Sequence, residues 1–211
     1  MNGMLILLVG ATLLAAACFI IGVAVGRFLL VRRNMGEALV ANALAQLSCP
    51  HVLLNNVTLP TERGTTQIDH ILVAESGIFI IETKHYTGWI LGNPDDSHWT
   101  QVIYRKRSRF QNPLRQNYAH MKAIQSLFKL PETAFQGLVV FTGDAEFKTE
   151  LGPQVIRLNQ LLEFVQRPWE TVLDERQRAY VVGRIEMKRL GRSLETDEYH
   201  LNYVRRRISR T

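Results

Sequence analysis

The chain has 211 residues, 46% of them hydrophobic and 21% charged, which are the proportions of a folded protein and exclude a disordered one. Lys and Arg number 25 against 19 Asp and Glu, so the formal charge is +6 and the pI about 9.6, a balance that favours an anionic partner such as nucleic acid or lipid head groups. Two cysteines, Cys18 and Cys49, exclude a disulfide framework and a CxxC metal knuckle.

Residues 4 to 26, "MLILLVGATLLAAACFIIGVAVG", carry no charged side chain. A run of that length spans a hydrocarbon core, which needs about 20 residues. A cleaved signal peptide has a basic start and a shorter apolar stretch, and neither is present here. "LLAAAC" ends at Cys18 like a lipoprotein cleavage site, but the apolar run continues past it. Arg27, Arg32 and Arg33 crowd the C-terminal flank. Basic flanks stay cytoplasmic, so the expectation is a single-pass inner-membrane protein with its C-terminal part in the cytoplasm. The juxtamembrane Arg residues are also suited to anionic lipid.

From Met35 to Leu47 apolar residues recur at helical spacing, through Leu39, Val40, Ala43, Leu44 and Leu47. Glu37 lies at the edge of that stripe. It is either a solvated first-turn Glu that favours the helix dipole or a carboxylate aimed across the surface the helix packs on. "HVLLNNVTL" reads as a strand broken by Pro60, "TERG" as a turn, "QIDHILVAE" as a second strand, "SG" as a tight turn and "IFIIETKHY" as a third strand. A hairpin region follows from Gly88, with "WTQVIY" as a further strand. "NPLRQNYAHMKAIQSLF" is helical after Pro113, with Leu114, Tyr118, Met121, Ile124 and Phe128 on one face. "FQGLVVFTG" is a buried strand, "QVIRL" a short one, and helical patterns lie at 161–165 and 175–190.

Hairpins followed by a crossover helix predict a mixed α/β fold, a central mixed sheet flanked by helices. Residues 1–33 are expected to be the anchor with its basic flank, 34–145 the main domain, and 146–211 a strand-and-helix extension packed on it.

Three charges stand inside apolar strands. Glu82 and Lys84 share one face of the third strand with Ile78 and Ile80, because strand side chains alternate. Asp69, on the preceding strand, is placed to meet Glu82 across the pair. A buried, unpaired carboxylate costs several kcal/mol, so converging carboxylates need a compensating cation. Lys84 supplies one. Either the cluster is an Asp–Lys–Glu salt bridge, or a divalent metal of the Mg2+ type, which takes one or two carboxylates plus waters and phosphate, completes it. Spacing alone leaves both open.

The order of these pieces resembles the PD-(D/E)xK nuclease superfamily and, within it, the nuclease-related (NERD) domain. The carriers are "GEALVANAL" at 36–44, "QIDHILV" at 67–73, "GIFIIETKHYTGWI" at 77–90, Trp99 and "NPLRQNYAH" at 112–120, together covering 35 to 145. ExK alone is a weak signal; "IDH", a glycine turn, "IETK" and "NPLRQ" in this order are specific.

The resemblance implies a restriction-endonuclease-like sheet. It also implies Asp69 and Glu82 as ligands of Mg2+ (or Mn2+), Lys84 as the lysine that places or deprotonates a water, and Glu37 as the helix carboxylate completing the site. Gln116 matches a glutamine of the family without a defined role. The proline of the superfamily signature is replaced by "QID".

Arg105, Lys106, Arg107, Arg109 and Arg115 form a basic run, either a phosphate-binding surface or a solvated loop. Tyr104 and Phe110, interleaved with it, are candidates for stacking on bases. His70, His85, His98 and His120 fit no zinc spacing and read as structural or exposed.

Two functions follow. One is a membrane-anchored, Mg2+-dependent nuclease that hydrolyses phosphodiester bonds, with DNA ahead of RNA as substrate. The other is a catalytically inactive module that binds nucleic acid or protein at the membrane. The intact Asp69, Glu82 and Lys84 favour the first.

Overall fold

The computed structural model describes residues 34–191 apart from 63 and 168, together with positions 22 and 196. The expected membrane span therefore lies outside the described residues, position 22 excepted. Among the described residues no helix is long and apolar enough to cross a membrane. Contacts divide the chain into two units, Met1–Met35 and Gly36–Thr211.

In chain order the elements are α1 (helical over described residues 34–44), β1 (His51–Thr61), β2 (Gly64–Ala74), β3 (Gly77–Lys84), β4 (Gly88–Leu91), β5 (His98–Ile103), β6 (Lys106–Gln111), α2 (Pro113–Gln125), β7 (Phe135–Phe141), β8 (Ala145–Phe147), β9 (Val155–Arg157), α3 (Leu161–Val165) and α4 (Glu175–Lys188). They build a mixed α/β fold with two sheets, ordered β1-β2-β3-β7-β9 and β6-β5-β4-β8. β1, β2 and β3 form an antiparallel meander, after which β7 joins β3 in parallel by way of α2.

β3 is buried from Gly77 through Thr83, as expected of a central strand whose Ile78–Ile81 run is apolar on both faces. Its two faces feed different layers. Ile78 and Ile80 join β2, α2 and α4 through Ile71, Ile124, Val181 and Ile185. Phe79 and Ile81 join α1 and α3 through Val40, Leu44, Leu161 and Phe164. The inner face of the second sheet, with Ile90 and Trp99, packs on Val139 and Phe141 of β7 in a third cluster. Val139 and Phe141 are the register partners of Glu82 and Lys84. The polar end of β3 thus lies beside the point where the helix-covered core gives way to the sheet-covered one.

Four details depart from the sequence reading. β1 is not broken at Pro60 but runs on to Thr61, with Pro60 opposite Thr65; it is an edge strand, where a residue without an N–H is tolerated. The single sheet becomes two, because the Gly88–Gln111 segment pairs with itself and with β8. The basic run contains the strand β6. The buried side of α2 is Pro113, Asn117, His120 and Ile124, and Tyr118 is 57% exposed. Leu114, Met121, Ile124 and Phe128 of the expected stripe do pack on the core, and only Tyr118 lies outside it, while the polar Asn117 and His120 are buried because this helix also covers the charged end of β3.

Candidate active site at the end of the central strand

The β2–β3 ladder runs from Ala74↔Gly77 to His70↔Ile81. On the other side of β2, Asn56 takes a left-handed backbone, φ 52°, between the pairs Asn55↔His70 and Val57↔Ile68, which interrupts that ladder opposite Asp69. Asn tolerates this conformation better than most residues. Where main-chain pairing to β3 ends, Asp69 continues it with its side chain: Oδ2 accepts the N–H of Thr83 at 2.8 Å. The carboxylate of β2 is thereby fixed against the residue that separates Glu82 from Lys84.

The helix over this end is positioned by its own polar residues. Asn112 caps α2, its Oδ1 accepting the N–H of Leu114, while its Nδ2 donates to the carbonyls of Pro94 and Asp96. Pro113 at the first turn costs no hydrogen bond. One turn on, the buried Asn117 donates to the carbonyls of Ile80 and Leu138 at 2.9 and 3.0 Å. Gly137 leaves room for it, since a Cβ there would approach Asn117 Nδ2 to 3.3 Å. With the helix locked to β3 and β7, Gln116 and His120, four residues apart and so on one face, reach the charged groups.

Lys84 Nζ donates to Glu82 Oε1 at 2.5 Å and to Gln116 Oε1 at 3.1 Å. His120 is buried, with Nδ1 2.7 Å from the Thr66 hydroxyl and Nε2 3.2 Å from Glu82 Oε2. Oε2 is buried, and His120, an ion-pair neighbour at 3.2 Å, is what faces it; no strict hydrogen bond reaches it.

Charge is held at this site against desolvation. Burial opposes ionisation of Glu82, but the Lys84 ammonium and the His120 imidazole outweigh it and hold its pKa down to about 2. Burial likewise opposes the Lys84 ammonium, and the charges of Glu82 and Asp69 outweigh it, so its pKa is raised. His70, on the opposite side of β2 from Asp69, is pushed down to about 4 by burial against the pull of Glu82. At neutral pH the site therefore holds an ionised Glu82, an ammonium on Lys84 and a neutral His70.

Asp69, Glu82, Lys84 and Gln116 thus come together, the first through the Thr83 amide and the rest through direct contacts. Glu37 is buried on α1, which packs on the other face of the sheet. Its neighbour Gly36 abuts Thr83, His85 and Thr142 so closely that a Cβ would meet the first Cβ contact, that of His85, at 2.8 Å. Glu37 therefore follows a residue seated against the end of β3, but on a helix that covers the face opposite Glu82 and Lys84.

Arg105, Lys106, Arg107 and Arg109 lie on or beside β6 and Arg115 on the first turn of α2, all exposed. Phe110 is not a stacking surface: it packs edge-on against Tyr86 and Trp99 at 4.8 and 6.2 Å. Tyr104, 98% exposed, stands at the β5–β6 turn with φ 52°.

Sequence reasoning missed His120 as a neighbour of Glu82, and Thr66 behind it. The signal was the four-residue spacing from Gln116.

The donor set can be tested against a metal. Among the described residues no group of three or more His, Cys, Asp and Glu is placed to hold one. A cation that keeps several waters and takes one or two carboxylates needs less, and the buried, ionised Glu82 with an unsatisfied Oε2 beside Asp69 fits it.

A family model described as the nuclease-related domain, NERD, matches residues 32–142, just over half of the chain. An uncharacterised protein of Bacillus anthracis is 53% identical over 96 residues, 44% of this chain and 45% of that one. The matched stretch thus spans less than half the length of that curated relative. No solved structure matches the chain.

Proposed function

From the premise that the chain belongs to the nuclease-related domain family, we propose that it is a membrane-anchored, Mg2+- or Mn2+-dependent nuclease whose site is the end of β3. The observation that carries this reading is Glu82: a buried carboxylate held ionised, with one oxygen on Lys84 and the other without a hydrogen bond. The salt bridge with Lys84 engages Oε1, and His120 stands 3.2 Å from Oε2 without giving it a strict hydrogen bond. Leaving a charged, buried oxygen unsatisfied is costly, and such exceptions concentrate where a ligand belongs.

Asp69 and Glu82 would hold the cation. The chemistry that cation supplies is acidification of a water and neutralisation of charge developing on a phosphate oxygen. Asp69 is kept in place by the Thr83 amide. His120, steadied by Thr66, supports the position and charge of Glu82, as outer partners of ligating carboxylates commonly do. Lys84, with its pKa raised, is a donor at neutral pH. Its place beside Glu82 suits it to place the attacking water or to help remove its proton. Gln116 holds the Lys84 ammonium from the helix side. Glu37, from α1 on the opposite face, would complete the polar end.

The finer assignments belong to the same proposal: a restriction-endonuclease-like sheet, a membrane helix over residues 4–26, the domain on the cytoplasmic side, DNA ahead of RNA, and a nuclease domain over 34–145 with an extension beyond it.

The test is incubation of the full chain, solubilised in detergent, with DNA and RNA in Mg2+ and in chelator. Cleavage that stops with chelator and with Glu82→Gln supports the nuclease. Binding without cleavage under every metal condition would support the inactive binding module instead. For the anchor, protease added to intact cells should spare the domain; its digestion, or recovery of the full chain in the soluble fraction without detergent, would refute the topology.

A further inference from the structure

The second sheet has one face with no part in the core. Its inner side chains, Ile90 on β4 and Trp99 on β5, are fully buried against the main sheet. Register fixes the other face. Glu146 of β8, Trp89 of β4, Val102 of β5 and Arg107 of β6 form one cross-strand row. Leu91, Thr100 and Arg109 form the next row on the same face.

Trp89 is 50% exposed, and the Lys148 ammonium lies 4.8 Å from its ring centroid. Arg107 and Arg109 are exposed. The only carboxylate in these two rows, Glu146, is paired with Lys148 at 2.5 Å. A half-exposed indole is poorly explained by folding, because the core already has the other side of the sheet. An exposed indole on the same sheet face as two exposed guanidinium groups fits a ligand with flat apolar rings and regularly spaced negative charge.

We propose that this face binds single-stranded nucleic acid, with a base stacking on the Trp89 indole and flanking phosphates on Arg107 and Arg109. The inference deepens the nuclease reading by naming the form of its substrate, and rests on it to that extent. The flat face around Trp89 does not fit a groove, so there a duplex offers only its backbone; a groove contact would have to come from the exposed β5–β6 tip. An unpaired strand offers base faces as well, and stacking on an aromatic side chain is worth about 1–3 kcal/mol per base. The platform is also continuous with the site in the chain. β6 runs through Asn112 directly into α2, where exposed Arg115 precedes Gln116, the partner of Lys84.

The experiment measures binding in excess chelator, so that it does not depend on cleavage. The full chain in detergent is titrated with a fluorescent oligo-dT of about twelve nucleotides, within the span such surfaces cover, and with the same strand annealed to oligo-dA. The expected result is tighter binding of the single strand, a loss of about tenfold or more with Trp89→Ala and near-complete rescue with Trp89→Phe. Arg107→Ala with Arg109→Ala should also shrink the salt slope by about 0.7 per lost phosphate contact.

Equal or tighter binding of the duplex, or single-strand affinity unchanged in Trp89→Ala, overturns the proposal. So does a Trp89-dependent response to anionic lipid vesicles with none to the oligonucleotide. Cleavage that persists while Trp89 and the two Arg residues prove dispensable sinks the platform and spares the nuclease; binding intact without cleavage does the reverse.

Discussion

The molecule carries charge in two contrasting ways. At the end of β3, Asp69, Glu82 and Lys84 are enclosed, each charge tied to a stated partner, and their ionisation is set by neighbours acting against burial. On β6 and its turn, Arg105, Lys106, Arg107 and Arg109 stand in solvent. Water and salt screen the second group, so its members should act additively and weakly. The first group is screened little, so removing any member exposes the others to an uncompensated interior. The difference separates chemistry from affinity: the enclosed set is suited to act on one phosphate, the exposed set to attract many.

The widest separation between the two regions should come from the carboxylates. Asp69→Asn and Glu82→Gln are each expected to lower cleavage by about a thousandfold or more, since metal assistance is worth several kcal/mol in the transition state. The triple change Arg105→Ala, Lys106→Ala, Arg107→Ala should leave the rate at saturating substrate nearly intact. Single-turnover rates for both sets would break the comparison if they fell alike.

Lys84→Ala should show both costs of enclosure. It leaves the Glu82 charge buried without its partner, at about 3–5 kcal/mol in unfolding free energy. Cleavage should fall while Mg2+ binding is kept, because the lysine is assigned to the water or phosphate and not to the cation. Loss of Mg2+ binding in a folded Lys84→Ala protein would refute that assignment.

Enclosure should also make stability depend on acid. His70 has a folded pKa of about 4 against an ordinary value of 6.5, so the unfolded chain takes up its proton first as pH falls. Its contribution, about 3 kcal/mol, is complete above pH 6.5 and lost on the way down to pH 4. Glu82, at about 2 against 4.5, extends the loss from pH 4.5 downward. Urea unfolding in chelator across this range should show the first slope in the wild type and a shallower one in His70→Gln; identical slopes would contradict the burial account.

Smaller still is the support from behind Glu82. His120→Ala and Thr66→Val should each weaken Mg2+ affinity about 10–100-fold, the usual range for such outer partners, with Thr66→Ser close to wild type. A purely structural His120 would lower the melting temperature and leave metal affinity alone. The smallest effect belongs to the exposed set. The triple Ala variant at Arg105, Lys106 and Arg107 should reduce the salt slope of single-strand binding by less than about 0.7 per residue, and an unchanged slope would mark a merely solvated turn.

The parts of this architecture that follow a simple period were readable in advance. Alternation put Glu82 and Lys84 on the face of Ile78 and Ile80, and the structure places them there, under α2. The crossover from β3 to β7 followed from hairpins succeeded by a helix. β6 was hidden because its "KRSRFQ" offers one partly buried apolar residue, Phe110; an edge strand with a solvated face has no apolar alternation to show. On α2 the apolar period found Leu114, Met121, Ile124 and Phe128 but not the burial of Asn117 and His120 or the exposure of Tyr118, because the helix also covers charge. Asn112 and Pro113 resembled motif residues, and the structure gives them a local task, starting the helix that carries Gln116 and His120.

The central claim is that Glu82 Oε2, which lacks a strict hydrogen bond though His120 stands 3.2 Å away, is a cation ligand and not a leftover of the ion cluster. The most direct test is the thermal unfolding of wild type and Glu82→Gln with and without Mg2+ or Mn2+. A ligand that binds only the folded state raises its stability by RT ln(1 + [L]/Kd), about 2.7 kcal/mol at a hundredfold excess over Kd. The account predicts a rise in wild-type melting temperature with metal and none in Glu82→Gln, whatever the baseline of the variant. A wild type that does not respond, or a variant that responds equally, would contradict it and leave Asp69, Glu82 and Lys84 as a structural ion cluster.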